Sequence, residues 1–261
     1  MRAKRHQDVS ISGQGHVPFR IHGARPRPET VIRPARDAVD ARHNRQLAEP
    51  NVLNVDIVAM IADERRRIAD LIDSLDSGQL DRPSLCAEWT IKQVAGHLYA
   101  TAAESPRLFV WALLGSGFNP HKASVKVSKQ LAARPAAELA AGLREHADNP
   151  FRPPIVGHLG QLTDLQVHGQ DMRRPLGLPH DLQPERMRMS LDFLVSGRAP
   201  GFVPKRRPAG LRFEATDVNW AWGAGPVVQG TGEAVMLALT GRTVVLNELC
   251  GDGVGVLRDR L

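Results

Sequence analysis

The sequence predicts an α+β protein, a helical bundle over residues 56–200 followed by a small α+β domain over 201–261. Three observations carry that expectation. From Asp56 to about Pro200 the apolar residues recur at helical spacing, with caps and prolines where helices start and stop. After Gly201 the pattern changes to short, turn-bounded runs of alternating or β-branched residues. Residues 1–55 show neither period and are rich in Arg, Pro, Gly and His, the composition of a disordered basic leader.

The elements follow in order. "DIVAMIADERRRIADLIDSL" sets Ile57, Met60 and Ile61 in register with Ile68, Leu71, Ile72 and Leu75, an amphipathic helix ending near Gly78. Pro83 punctuates "LDRPSLCAEWT", and Thr90 caps "IKQVAGHLYATAAE", whose apolar stripe is Ile91, Val94, Ala95 and Leu98. Ser105-Pro106 reads as a cap followed by proline at the first helical position. "RPAAELAAGLREHA" is a short helix, "NPFRPPIVG" a loop, and "HLGQLTDLQVHGQDMRRPLG" is helical until about Pro175. "QPERMRMSLDFLVSG" is one more helix. In the C-terminal part "GLRFEATD", "NWAWGAG" and "PVVQG" are strand-like, and "TGEAVMLALTG" is a helix capped by Thr231 and stopped by Gly241. "VVLNEL" reads as a strand, and "GDGVGVLRDRL" closes on a short helix. No internal repeat is present.

Composition excludes several classes. No apolar run approaches the roughly 20 residues that cross a bilayer, and the basic N-terminus lacks the apolar stretch of a secretory signal. The net charge of +6 invites a nucleic-acid partner, but residues 1–50 hold 10 Lys+Arg against 5 Asp+Glu, and the remainder 24 against 23. The folded part is close to neutral, so a basic footprint exists only in the leader. Cys86 and Cys250 fit no CxxC pattern and read as thiols in a reducing cytoplasm.

The chemistry-bearing stretch is "DLQVHGQD" at 164–171. On a helix Asp164, His168 and Asp171 share one stripe, because residues three and four apart are neighbours. The apolar stripe of Leu162, Leu165, Gly169 and Met172 adjoins it, while Thr163, Gln166, Gln170 and Arg173 fill an outer face that the pattern assigns to solvent. Periodicity leaves two readings: a boundary stripe of mutually hydrogen-bonded side chains, or polar groups aimed into an interhelical cleft. His97, at the border of its own helix's stripe, is the natural third member. Two imidazoles and a carboxylate on two helices can make a three-ligand site with an open position, suited to zinc or another first-row divalent metal. Asp171 would then orient a ligand or touch substrate. His121, His146, His158 and His180 lack partners at metal spacing, with His158 the alternative ligand. Trp89, Trp220 and Trp222 read as packing residues, and the glycine-rich "GAGP" and "GDGVG" as turns.

The motifs "EWTIKQVAGHL" at 88–98, "DLQVHGQDMRRPLG" at 164–177 and "ATDVNWAWGAGP…GTGEAVMLALTGR…LCGDGV" at 215–254 together resemble the mycothiol-dependent maleylpyruvate isomerase family. The resemblance covers about 56–261. It implies a DinB-like four-helix metal-binding domain joined to a C-terminal domain similar to sterol carrier protein. It implies zinc held by His97, Asp164 and His168, where the family pattern has Glu in place of Asp164, one methylene longer. It further implies mycothiol as a low-molecular-weight thiol partner, a small-molecule substrate, and isomerisation or S-transfer as the activity. Arg242, in "TGR", matches a C-terminal-domain arginine that such a family brings to the active cleft, where it could bind a substrate carboxylate. Without the resemblance, Arg242 reads as a helix-terminal residue near the last carbonyls. The alternative to an enzyme is a non-catalytic DinB-like protein that binds a metal or small ligand.

Overall fold

The computed structural model describes residues 52–86, 89–103, 114–117, 119–179 and 182–261. Residues 1–51 of the expected leader, Ser105-Pro106 and Glu88 of the first motif lie outside them. Helix α1 (Val52–Ser74) begins ahead of the Asp56 start that the pattern gives. It stops short of Gly78 because Asp76 starts a separate turn, α2 (Ser77–Leu80), by accepting from the Gln79 N–H in a capping box. Thr90 does the same for α3 (Ile91–Ala102), accepting from the Gln93 N–H while Gln93 reaches back. Helix α4 (Pro120–Ala132) was not among the helices read from the pattern. Asn119 caps it, Pro120 opens it, and Ala123, Val127 and Leu131 recur four apart on its buried side. It lies tight on α3, because a Cβ at Gly96 would meet the Ser128 carbonyl oxygen at 2.7 Å and the Ala132 nitrogen at 3.0 Å.

Helices α5 (Ala136–Glu145) and α6 (Gly157–Arg173) complete a bundle with α1 and α3. Their shared core includes Ile61 and Ile68 of α1, Leu98 of α3, Leu143 of α5, and Leu162 and Met172 of α6. Helix α7 (Pro184–Val195) packs on α6 and turns Met187, Leu191 and Phe193 toward a second core. That core lies under a sheet of β1 (Arg212–Ala215), β2 (Trp220–Gly223) and β3 (Val227–Gly230) in the order β2-β1-β3. Strand β1 is antiparallel to β2 and parallel to β3, with Phe213 opposite both Trp222 and Val228. Helix α8 (Gly232–Leu239), capped by the Thr231 hydroxyl and stopped at Gly241 (φ 97°), and α9 (Gly253–Arg258) complete the C-terminal part. The chain is thus mixed α+β, a helical bundle followed by a small three-stranded element.

Two expectations are corrected. "VVLNEL" forms a 3₁₀ helix over Thr243–Glu248, not a strand. The open edge of β3 is taken by Cys250, which exchanges both backbone hydrogen bonds with Gln229 at 2.8 Å, so the preceding run is free to coil and bury Val245 and Leu246. The outer face of α6 is not solvated: Thr163, Gln166, Gln170 and Arg173 are all buried. Helix α6 stands between two cores, giving Leu162, Leu165 and Met172 to one and Val167 to the other. The polar residues are tolerated because most find partners, as Thr163 does by donating to the Leu159 carbonyl and pairing with the Ser190 hydroxyl. No helix among the described residues is long and apolar enough to cross a membrane.

Candidate metal centre

Helix α3 delivers His97 and α6 delivers Asp164 and His168 to one point, where one ligand atom from each lies within 4.8 Å of the others. His97 Nε2 stands 3.3 Å from Asp164 Oδ2 and His168 Nε2 3.5 Å from Asp164 Oδ1. Two ligands about 2.1 Å from a shared tetrahedral ion are about 3.4 Å apart, so this donor set fits a divalent ion. The hydrogen bonds behind it point the same way. Asp171 accepts from His168 Nδ1–H at 2.8 Å, which leaves Nε2 a lone pair facing a carboxylate oxygen. Two acceptors face each other at that contact, and a cation between them, or a proton on the ring, relieves it. Ser124 Oγ lies 3.3 Å from His97 Nδ1, within hydrogen-bond reach of the second ring.

Electrostatics favour the ionised acids. Burial alone would raise the Asp164 carboxyl, but the fields of His168 and His97 outweigh it and hold the group below the ordinary carboxylate range. Asp171, fully buried, is likewise opposed by burial and held low by hydrogen bonds from His168 and Arg242. Arg242 donates to Asp171 Oδ1 from Nε at 3.0 Å and to Oδ2 from Nη2 at 2.5 Å, and its Nη1 donates to the Thr240 carbonyl at 2.9 Å. The carboxylate it binds is the protein's own. It reaches Asp171 from the turn after α8, so the C-terminal part braces the cluster through Asp171.

Other residues read from the sequence fall elsewhere. His158 places Nε2 3.2 Å from the Pro150 carbonyl and does not join the cluster. His146 contacts the Tyr99 ring. His180 and the side chain of His121 lie outside the described part. Trp220 donates Nε1–H to Asp192 at 2.7 Å, tying β2 to α7. Trp89 does more than pack at the bundle entrance: its ring lies 5.0 Å from that of His97 and 5.8 Å from that of His168, and its indole N–H is buried without a partner. Sequence reasoning passed over Ser124, although the cap and four-residue spacing of α4 could have placed it one helix away from His97. Helical spacing sets Gln161 on the stripe of Asp164 and His168, but no role was read for it. A cavity of about 530 Å³ opens beside His97 and Asp164, and Gln161 lines it.

Fold and site define a class: an α+β protein with a two-histidine, one-aspartate cluster between the helices of a bundle. Comparison with known families gives the particular resemblance. Residues 61–150 match the family model for the mycothiol maleylpyruvate isomerase N-terminal domain, the family that the sequence motifs resemble. Two solved structures of the mycothiol-dependent maleylpyruvate isomerase, one a histidine-to-alanine variant, are similar over 76% of this chain and 92% of theirs, at 14% identity. Their TM-scores are 0.48 and 0.46. No curated protein matches the chain.

Proposed function

We propose that this chain is a cytoplasmic, metal-dependent and mycothiol-dependent isomerase or thiol transferase of the maleylpyruvate isomerase type. It would be organised as a metal-binding helical part over 56–200 and a small α+β part over 201–261. The observation that carries the proposal is the convergence of His97, Asp164 and His168 beside a cavity. These three side chains would hold the ion, with zinc the best match to an imidazole and carboxylate set. When bound, such an ion supplies the positive charge that favours thiolate over thiol near neutral pH, a nucleophile suited to reversible addition or S-conjugation. The chain's own residues keep the arrangement in place. Asp171 fixes the His168 tautomer through Nδ1, Arg242 holds Asp171 ionised, and Ser124 supports His97.

Metal analysis of the full-length protein tests the site. The wild type is expected to carry close to one equivalent of zinc, and His97→Ala and His168→Ala to lose most of it. Retention of wild-type zinc by both variants would remove the assignment. A second reading, binding without turnover, draws support from the side-chain census: every titratable group lining the cavity, namely Arg65, His97 and Asp164, is already engaged with protein partners. Mycothiol binding without turnover across a panel of electrophilic acids and neutral electrophiles would favour it.

A further inference from the structure

The cavity beside the cluster says more about its ligand than the cluster does. Its walls are apolar, with Val127 of α4, Leu165 of α6, Phe151 and Val156 of the preceding loop, and Phe202 from beyond α7. The polar side chains among them are nearly all satisfied. Thr101 donates to the Leu98 carbonyl at 2.9 Å, Ser128 to the Ser124 carbonyl at 2.7 Å, and Ser124 meets His97. Arg65, the one cation among the lining residues, is buried and donates from Nη1 to the carbonyls of His146, Ala147 and Asn149. Arg242 is not in the lining, and its guanidinium is paired with Asp171. Gln161 differs from all of these. It is 8% exposed, and neither its amide nitrogen nor its amide oxygen has a hydrogen-bond partner. A buried amide left unpaired is costly, and a turn of the Gln161 side chain into the cavity lets a ligand supply the missing donor and acceptor and recover that cost.

We infer that the cavity takes a ligand with a predominantly apolar body and one uncharged hydrogen-bonding group, an amide or carbonyl met by Gln161, in preference to a carboxylate. The inference rests on the proposed function only in treating that ligand as the acceptor substrate of the metal centre; the binding itself requires no ion. Gln161 sits one helical turn ahead of Asp164, so a ligand held by its amide has the rest of its body beside the cluster.

Calorimetric titration of the full-length chain, dialysed against chelator so that no ion contributes, with octanamide and octanoate near neutral pH tests this. Octanamide is expected to bind at least about tenfold more tightly than octanoate, because a site built around an amide penalises a partner that cannot both donate and accept. Shortening the probe to hexanamide should weaken binding, as an apolar wall requires. In Gln161→Leu the amide preference should collapse to about parity while the chain-length dependence survives. Tighter binding of octanoate, no binding of either probe, or an unchanged preference in Gln161→Leu would each overturn the inference. The wild-type comparison stands alone should the variant fold poorly. Zinc content, read separately, reports on the metal reading, so the two can fail independently.

Discussion

Arg242, on the turn that follows α8, grips Asp171 of α6 through two hydrogen bonds, from Nε at 3.0 Å and Nη2 at 2.5 Å. Asp171 is wholly buried and hands its second contact to His168. Removing the guanidinium therefore strands a buried carboxylate beside a candidate ligand. Arg242→Ala is expected to lower stability by about 3–5 kcal/mol, the usual cost of breaking a buried pair from one side. Arg242→Lys should recover only part of it, since an ammonium cannot reproduce the two-point grip. Urea denaturation of both, with the Arg242→Ala/Asp171→Asn double variant, measures the coupling. Additivity of the two single effects would show that the pair carries no energy of its own.

The same pair sets an acid limit on stability. Burial opposes ionisation of Asp171, yet the bonds from His168 and Arg242 hold its carboxyl below the ordinary range. A group with a depressed folded value binds its proton more readily when unfolded. Its contribution is therefore complete above the unfolded value of about 3.9 and is lost as pH falls through the lower folded one. Asp171→Asn should be less stable than wild type by a constant margin from neutral pH down to about pH 4, and the gap should close only as pH falls further. A gap that closes well above pH 4, or profiles that stay parallel far below it, would contradict the assignment.

The fold was legible where local signals and burial agreed. Thr90 and Thr231 cap the helices that their spacing announces, and the three short runs after Gly201 become the three strands. The misreadings have physical causes. Helix α6 carries Thr163, Gln166, Gln170 and Arg173 where a surface helix would meet water, but a second core behind it buries them. A helix buried all round need not advertise a solvent face, and only the tertiary arrangement decides. "VVLNEL" has strand composition, yet Cys250 occupies the edge it would have joined. At the site, residue types and spacing left His97, Asp164 and His168 as one of two readings, which the family resemblance favoured, whereas the contacts of Trp89, Ser124 and Arg242 cross long sequence separations that periodicity does not encode.

Trp89 lies against both histidine rings and offers an optical readout of the site. A paramagnetic divalent ion such as Cu²⁺ bound between those rings should quench its fluorescence. Trp89→Phe should keep the metal affinity within about threefold and lose most of the quenching, since a smaller ring preserves much of the packing. Trp89→Ala is expected to cost about 3–5 kcal/mol, as a large buried ring replaced by a cavity does. Undiminished quenching in Trp89→Phe would place the ion elsewhere.

Gly96 fixes the distance between α3 and α4, and with it the approach of Ser124 to His97. A methyl there would press on backbone atoms of Ser128 and Ala132, which cannot rotate away as a side chain would. Gly96→Ala is expected to destabilise by about 1–3 kcal/mol through overpacking, despite the better helix propensity of alanine. Lower zinc affinity should accompany the loss, because α4 must shift and carries Ser124 with it. A variant as stable as wild type would show that the two helices separate without cost.

Gln166 presents a buried polar group with no compensating contact. It is fully buried on the outer face of α6, and neither its amide nitrogen nor its oxygen has a partner. An unpaired buried polar group costs about 1–3 kcal/mol, so Gln166→Met, similar in volume and flexible enough to fill the same space, should raise the melting temperature. Thr163→Val on the same face is the contrasting case. Its hydroxyl bonds the Leu159 carbonyl and Ser190, and its loss leaves Ser190 without that partner, so stability should fall by about 1–2 kcal/mol. Thermal unfolding of the two variants side by side separates an unsatisfied residue from a satisfied one. A clear loss of stability in Gln166→Met would mean that the amide is solvated in place by a bound water, and that this flank of α6 is wetter than its packing implies.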